Sequence, residues 1–378
     1  MREGAVRKKI LFSVVIASAF FMILETAVRV VHIYHPLFED KTFVYQQHPV
    51  FDHWHVPNAS ETSRADTGEY SVHIRTNSHG MPGLERSIDK GDGIYRIALL
   101  GDSFVEGFTT EEESTISALL EGLLNKSIDQ KFEVLNFGCS SFSPSLEYYL
   151  LLDLAAKFRP DMVVLMFHIT DVTDDWRYEK KKALDLNGKA IGIDGTKEKS
   201  AIYQIFEKSS LLRTVVQKIK KLQKQGLMEE SQSVDLSESY YAMFKDSYSP
   251  SDEKAWELSK SYLKKIKDWS DEAGVPFLLV VIPVGPQVED VVEGPNGRHV
   301  FPPAWRNLES VKMQEILQDW AREAGVDFVD LLHRAKIFKK QVKEGNLFYP
   351  MDQHFTATGN EIAADAIYEK IESLMSRN

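Results

Sequence analysis

Four short segments, far apart in the chain, carry the residue types that acyl transfer by a serine requires. The stretch IALLGDSFVEG, residues 97–107, breaks from an apolar run into Gly101, Asp102 and Ser103. LNFG, residues 135–138, ends on a small residue, Gly138, and FHITD, residues 167–171, ends on the polar pair Thr170 and Asp171. YPMDQHFTATGNE, residues 349–361, holds Asp352 and His354 with one residue between them. A serine hydroxyl is a weak nucleophile at neutral pH, so an imidazole must take its proton and later return one to the leaving group. A carboxylate must orient that ring and stabilise its charged form, and hydrogen-bond donors must meet the developing oxyanion. Ser103, His354 and Asp352 are the candidates for these roles. Residues as close as Asp352 and His354 meet only if a turn swings the carboxylate round, and Pro350 with the polar run after it favours one. Each has a plainer reading: Ser103 as a helix N-cap, His354 packed under a final helix, Gly138 as a tight-turn glycine, Thr170 as an ordinary strand end.

The elements that must bring these segments together are legible in the hydropathy pattern. YRIALLGDS, KFEVLNFG, DMVVLMFHITD, PFLLVVIPV and VDFVDL are apolar, β-branched runs that read as strands buried on both faces. Between them lie helical stretches, the first with Ile116, Leu119, Leu120, Leu123 and Leu124 on one stripe, and a last helix is expected over residues 358–375. Strand and helix in alternation predict a parallel sheet wrapped on both faces. In such sheets ligands bind beyond the carboxyl ends of the strands, and that rim is where the four segments fall.

Residues 36–90, rich in His, Pro, Gly and Asn, read as an irregular β-type preamble to a domain spanning 91–378. The spacing of His48, His53, His55, His73 and His79 fits no compact metal motif, so they read as surface or structural histidines. His168 reads as a core histidine and Cys139 as a buried, inert thiol. Glu111, Glu112 and Glu113, after Thr109 and Thr110, read as the charged, boxed N-terminus of a helix. Residues 176–250 interrupt the alternation and read as a cap or lid insertion, with a hairpin signal at Asn187-Gly188 and an amphipathic run of Ile202, Ile205, Phe206, Leu212, Val215, Val216 and Ile219. From Arg177 to Lys224 there are thirteen Lys and Arg against five Asp and Glu. That basic face suits either solvent or an anionic membrane surface or substrate.

The net charge of −11 argues against a general nucleic-acid binder. The single cysteine excludes an intramolecular disulfide and a cysteine-rich zinc site. At the N-terminus Arg2, Arg7, Lys8 and Lys9 precede ILFSVVIASAFFMIL, residues 10–24. An uncleaved membrane anchor over residues 1–35 is the leading reading, with a cleaved signal and a buried helix as alternatives. The positive-inside rule then places the bulk of the chain outside the cytoplasm, periplasmic or on the outer surface in a bacterium.

With these motifs in place the chain resembles the SGNH or GDSL hydrolases. Gly101-Asp102-Ser103 matches the family's first block, Gly138 its second, and Asp352 with His354 its last, over about residues 92–375. IRTNSHGMPGLERS, residues 74–87, looks like the segment before the first block in membrane-anchored members. The resemblance implies an α/β fold of the flavodoxin-like three-layer sandwich type with a five-stranded parallel sheet. It implies a Ser103-His354-Asp352 triad, and an oxyanion hole from the Ser103 and Gly138 amides with Thr170, which stands where the family has an asparagine. It implies no metal and no organic cofactor. The expected function is a membrane-anchored esterase or O-acyltransferase acting on an acylated small molecule or carbohydrate, acetyl esters foremost. The alternative is a catalytically weak or inactive SGNH-fold binding or scaffold protein of the cell envelope, and an envelope-assembly partner fits either reading.

Overall fold

The computed structural model describes residues 2–34, 44–65, 67–184, 188–196, 209–212, 214–215, 243–244, 247–289, 309–341 and 345–377. The chain divides into two compact units, Met1–Thr42 with Lys197–Asp235, and Phe43–Thr196 with Leu236–Asn378.

In the first unit, helix α1 (Arg2–Tyr34) contains one stretch, Leu11–Val31, long and apolar enough to cross a membrane, with a mean hydropathy of 2.2. Its large apolar side chains, Phe12, Phe20 and Ile23 among them, are exposed. Glu25 is the one acid in that stretch. It accepts hydrogen bonds from Arg29 Nε (2.7 Å), Ser209 Oγ (2.7 Å) and the backbone amides of Ser210 (2.8 Å) and Leu211 (2.9 Å). Most of the amphipathic run from Ile202 to Ile219 lies outside the described residues.

The second unit begins with two antiparallel pairs, β1 (Tyr45–Gln47) with β2 (His53–His55) and β3 (Ser60–Arg64) with β4 (Ser71–Arg75). The preamble is therefore more regular than its composition suggests. Then come β5 (Ile94–Gly101), α2 (Ser103–Glu106), α3 (Ile116–Ser127), β6 (Lys131–Gly138), α4 (Pro144–Asp153), β7 (Met162–Phe167) and α5 (Thr170–Tyr178). The hairpin of β8 (Lys182–Leu184) and β9 (Ala190–Ile193) follows, with Gly188 at φ 77° and Asn187 outside the described residues. The unit closes with α6 (Pro250–Ala273), β10 (Phe277–Val281), α7 (Lys312–Ala324), β11 (Asp327–Asp330), α8 (Leu331–Gln341) and α9 (Ala357–Met375).

The five expected core strands form one sheet in the order β6-β5-β7-β10-β11, every pair parallel. Alternate strand residues feed two cores. Ala98, Leu100, Leu165 and Val281 pack with α4, α5, α6 and α7, while Ile97, Leu99, Val164 and Val280 pack with α3, α8 and α9. Each buried Leu, Ile or Val side chain contributes about 1.5 to 3 kcal/mol. The result is the flavodoxin-like three-layer α/β sandwich, whose strand order reverses between β5 and β7, the place where such sheets bind ligands.

Two local expectations change. The acidic run does not open a helix: Glu112–Ser114 form a single 3-10 turn, and Thr115 caps α3, its Oγ1 accepting from the Ala118 amide. Glu112 instead pairs with Arg75 of β4. Helix α8 is not visible in the pattern, because His333, Arg334, Lys336, Lys339 and Lys340 dilute its apolar stripe.

Candidate active site

β5 ends at Gly101, and Asp102 turns the chain by capping α2, its Oδ1 accepting from the Phe104 amide at 2.9 Å. Ser103 is thereby held at the first position of a four-residue helix, closed at the other end by Gly107 in the left-handed region, φ 76°. From the other end of the chain, the loop before α9 returns His354 to it. Ser103 Oγ lies 2.7 Å from His354 Nε2, and His354 Nδ1 lies 2.6 Å from Asp352 Oδ1.

The turn that allows Asp352 and His354 to meet is made by Gln353 at φ 70°. The Tyr349 amide donates to the His354 carbonyl (2.8 Å) and the Gln353 amide to the Tyr349 carbonyl (2.9 Å), so the loop closes on itself. The imidazole is packed between Phe104 and Phe108, with ring centroids 4.9 and 4.8 Å away. Burial alone would raise the Asp352 carboxyl, but the hydrogen bond and charge of His354 and the Tyr70 hydroxyl outweigh it and hold its pKa below the ordinary value.

The preamble supplies residues that the motifs do not point to. Tyr70 donates its hydroxyl to Asp352 Oδ2 at 3.2 Å, and Glu69 accepts from the Met351 (2.8 Å) and Asp352 (3.0 Å) amides. The turn between β3 and β4 thus grips the loop that carries the acid and the base. No spacing rule links residue 70 to residue 352, and the only signal in the sequence is the alternating stretch that forms the hairpin. Behind α2, Glu106 is buried and holds the preamble to the nucleophile turn. It accepts from His55 Nε2 (3.0 Å), the Tyr45 hydroxyl, and the Ser140 amide (2.7 Å) and hydroxyl (2.5 Å).

A cavity of about 150 Å³ opens over the triad, lined by Asp102, Ser103, Phe104, His168, Thr170, Val284, Gly285 and the Asp352–His354 loop. Thr170 therefore reaches the site. So does His168, which follows the last residue of β7 and is not the core histidine that the sequence suggests. Gly138 does not line the cavity. Its amide donates to Asn136 Oδ1 (2.9 Å), and a Cβ there would overlap the backbone of Val105 and Glu106. Its observed part is to let β6 lie against α2. Cys139 is fully buried, and burial with the nearby Glu106 pushes its thiol further from ionising.

The preamble histidines have other partners: His55 pairs with Glu106, His53 with Asp52 and the Ser140 carbonyl, and His48 Nδ1 accepts from the Val50 and Phe51 amides. Within the expected lid, β8 and β9 meet the preamble at Phe51 and Val50, and none of its described residues lines the cavity.

α4 and α5 carry a set of buried carboxyls. Among the described residues, neither oxygen of Glu147 on α4 has a hydrogen-bond partner, and neither has Asp171 Oδ1 on α5, whereas Asp175 accepts from the Ser145 amide at 2.9 Å. Burial and mutual repulsion raise Glu147 and Asp171, and burial raises Asp175. Burial pushes Asp102 up to about 7.

No family model matches the chain, and no curated protein matches it. Among solved structures it is similar to a gut microbial diltiazem-metabolizing enzyme (9% identity, TM-score 0.42, covering 75% of this chain and 48% of that one). It is also similar to an acetyl xylan esterase (14%, 0.40, 72% and 98%) and to an acetylxylan esterase from Geobacillus stearothermophilus (15%, 0.38, 73% and 94%). The chain thus spans about half the length of the first of these. Likenesses at such scores carry no argument about activity.

Proposed function

We propose that this chain is a serine hydrolase or O-acyltransferase of the SGNH type that acts on an ester, an acetyl ester foremost, of a carbohydrate. The observation that carries this reading is the hydrogen-bonded series Ser103 Oγ, His354, Asp352 opening into a small cavity. In the proposed reaction the Ser103 proton passes to His354 Nε2 as Oγ bonds to the ester carbonyl carbon. Asp352, ionised, holds the ring with its other nitrogen protonated and stabilises the imidazolium. The tetrahedral oxyanion is met by the Ser103 amide at the start of α2 and by Thr170. Its collapse breaks the bond to the alcohol, which departs with the proton from His354 and leaves an acyl group on Ser103. Water as the second acceptor gives an esterase, and a sugar hydroxyl gives a transferase.

Two features support the substrate class. A cavity of about 150 Å³ suits a short acyl group better than a long chain. Beside His354, Tyr70, Tyr349 and Phe108 form a half-buried aromatic group, with Tyr70 centroids 5.2 and 6.1 Å from the other two, of the kind on which sugar rings stack. For location, we propose that α1 is kept as a membrane anchor, since Leu11–Val31 is long and apolar enough to span and its large apolar side chains are exposed. The cationic N-terminus would then keep that end cytoplasmic.

The test is product analysis with the full chain in detergent and acetylated xylo-oligosaccharide as donor. Acetate release, or acetyl transfer to an added oligosaccharide, that disappears in Ser103→Ala is expected. Equal turnover in that variant, or none in the wild type, contradicts the proposal.

A further inference from the structure

Thr170, which stands where the resemblance would put an asparagine, lines the cavity, and the structure places an imidazole against it. His168 Nδ1 lies 2.8 Å from Thr170 Oγ1, and both residues line the cavity that contains Ser103 and His354. The segment is fixed by its own bonds. The His168 amide donates to Asp171 Oδ2 (3.1 Å), the Asp171 amide to the His168 carbonyl (3.0 Å), and Thr173 Oγ1 to the Thr170 carbonyl (2.9 Å). The His168 ring lies against Phe104, centroids 4.9 Å apart, on the same side chain that supports His354.

Resting on the serine-nucleophile reading above, we propose that His168 and Thr170 act as one unit that presents a single hydrogen-bond donor to the oxyanion, with His168 the positioning residue. The count of protons is the argument. A neutral imidazole carries one N–H and a hydroxyl one O–H, and the bond between them uses one. The other is left for the cavity. Asp102 Oδ2 lies 4.0 Å from His168 Nδ1 and, in its ionised form, favours the proton on that nitrogen. Nδ1–H then donates to Thr170 Oγ1 and the threonine O–H turns toward the substrate. A free threonine would rotate among acceptors, whereas this one has its lone pair occupied and its proton directed. The ring stays neutral through the working range, because burial and the proximity of His354 hold its pKa down to about 3.

The experiment measures kcat and KM for p-nitrophenyl acetate in His168→Phe, Thr170→Val and the double variant, using the full chain in detergent. Loss of an oxyanion donor lowers kcat by roughly a hundredfold, so each single variant is expected to lose about 10- to 100-fold in kcat with KM within about threefold. The double variant should lose no more than about threefold beyond the worse single one, and Thr170→Ser, which keeps the hydroxyl, should recover most of the loss. A His168→Phe kcat within about twofold of wild type, or losses that multiply in the double variant, overturns the proposal. If His168→Phe does not fold, Thr170→Val decides: wild-type kcat there overturns it too. A wild type that takes no fluorophosphonate on Ser103 refutes the nucleophile reading instead, so the two failures are distinguishable.

Discussion

Glu147 is fully buried on α4, and among the described residues neither of its oxygens has a partner. Asp171 and Asp175 on α5 repel it electrostatically, so the neutral form of Glu147 is the one the fold favours. A carboxyl with a raised folded-state pKa binds its proton more tightly in the fold than in the unfolded chain. It leaves stability unchanged below the unfolded value and removes stability as pH rises from there through the folded value. For Asp102 that window runs from 3.8 to about 7, and Glu147, Asp171 and Asp175 shift in the same direction. His168, held down to about 3, opposes this below its ordinary value of 6.5, but the four carboxyls act together, so the fold should be more stable at about pH 5 than at about pH 8.

Glu147→Gln keeps the shape, removes one titrating group and supplies N–H donors in place of a carboxyl that burial and the nearby Asp175 disfavour in its charged form. An unsatisfied buried group costs about 1 to 3 kcal/mol. The substitution should raise stability at about pH 8 by that amount, or roughly 2 to 10 °C in Tm for a domain of this size, with a smaller gain at about pH 5. Circular dichroism melts of the full chain in detergent at the two pH values measure it. A variant that melts lower than wild type at the higher pH, or whose Tm falls with pH as steeply, refutes the reasoning.

Tyr70→Phe removes the hydroxyl that Asp352 Oδ2 accepts at 3.2 Å. That bond is partly exposed, so its loss should cost about 1 kcal/mol, read as a roughly fivefold fall in kcat/KM on p-nitrophenyl acetate with Tm little changed. An unchanged kcat/KM would mean that the preamble does not support the acid. Gly138→Ala keeps the backbone amide but places a methyl group against Val105 and Glu106. Overpacking of about 1 to 3 kcal/mol should appear as a lower Tm together with lost activity, since α2 carries Ser103. An unchanged Tm would mean that the close approach of β6 to α2 is not what requires this glycine.

The central strands are legible because burial on both faces makes each an unbroken apolar run; residues 97–100 of β5 are all apolar and all buried. Ser103, Asp352 and His354 are legible because polar residues break the apolar pattern at one rim. What the sequence hides is contact between distant segments. Glu69 and Tyr70 reach the loop at residues 349–354 only because β3 and β4 pair in one register. His168 resembles core because it continues an apolar strand, and its position one residue beyond the strand end is the signal that it reaches the rim. Gly138 follows the motif to the right strand end, while its amide is engaged by Asn136, a partner two residues away that no motif marks.

The most direct measurement of the central claim is peptide mapping after treatment of the full chain with a fluorophosphonate probe. One label per chain is expected, on Ser103, absent in Ser103→Ala and formed far more slowly in His354→Ala. A label on another residue, or an unlabelled Ser103, would contradict it.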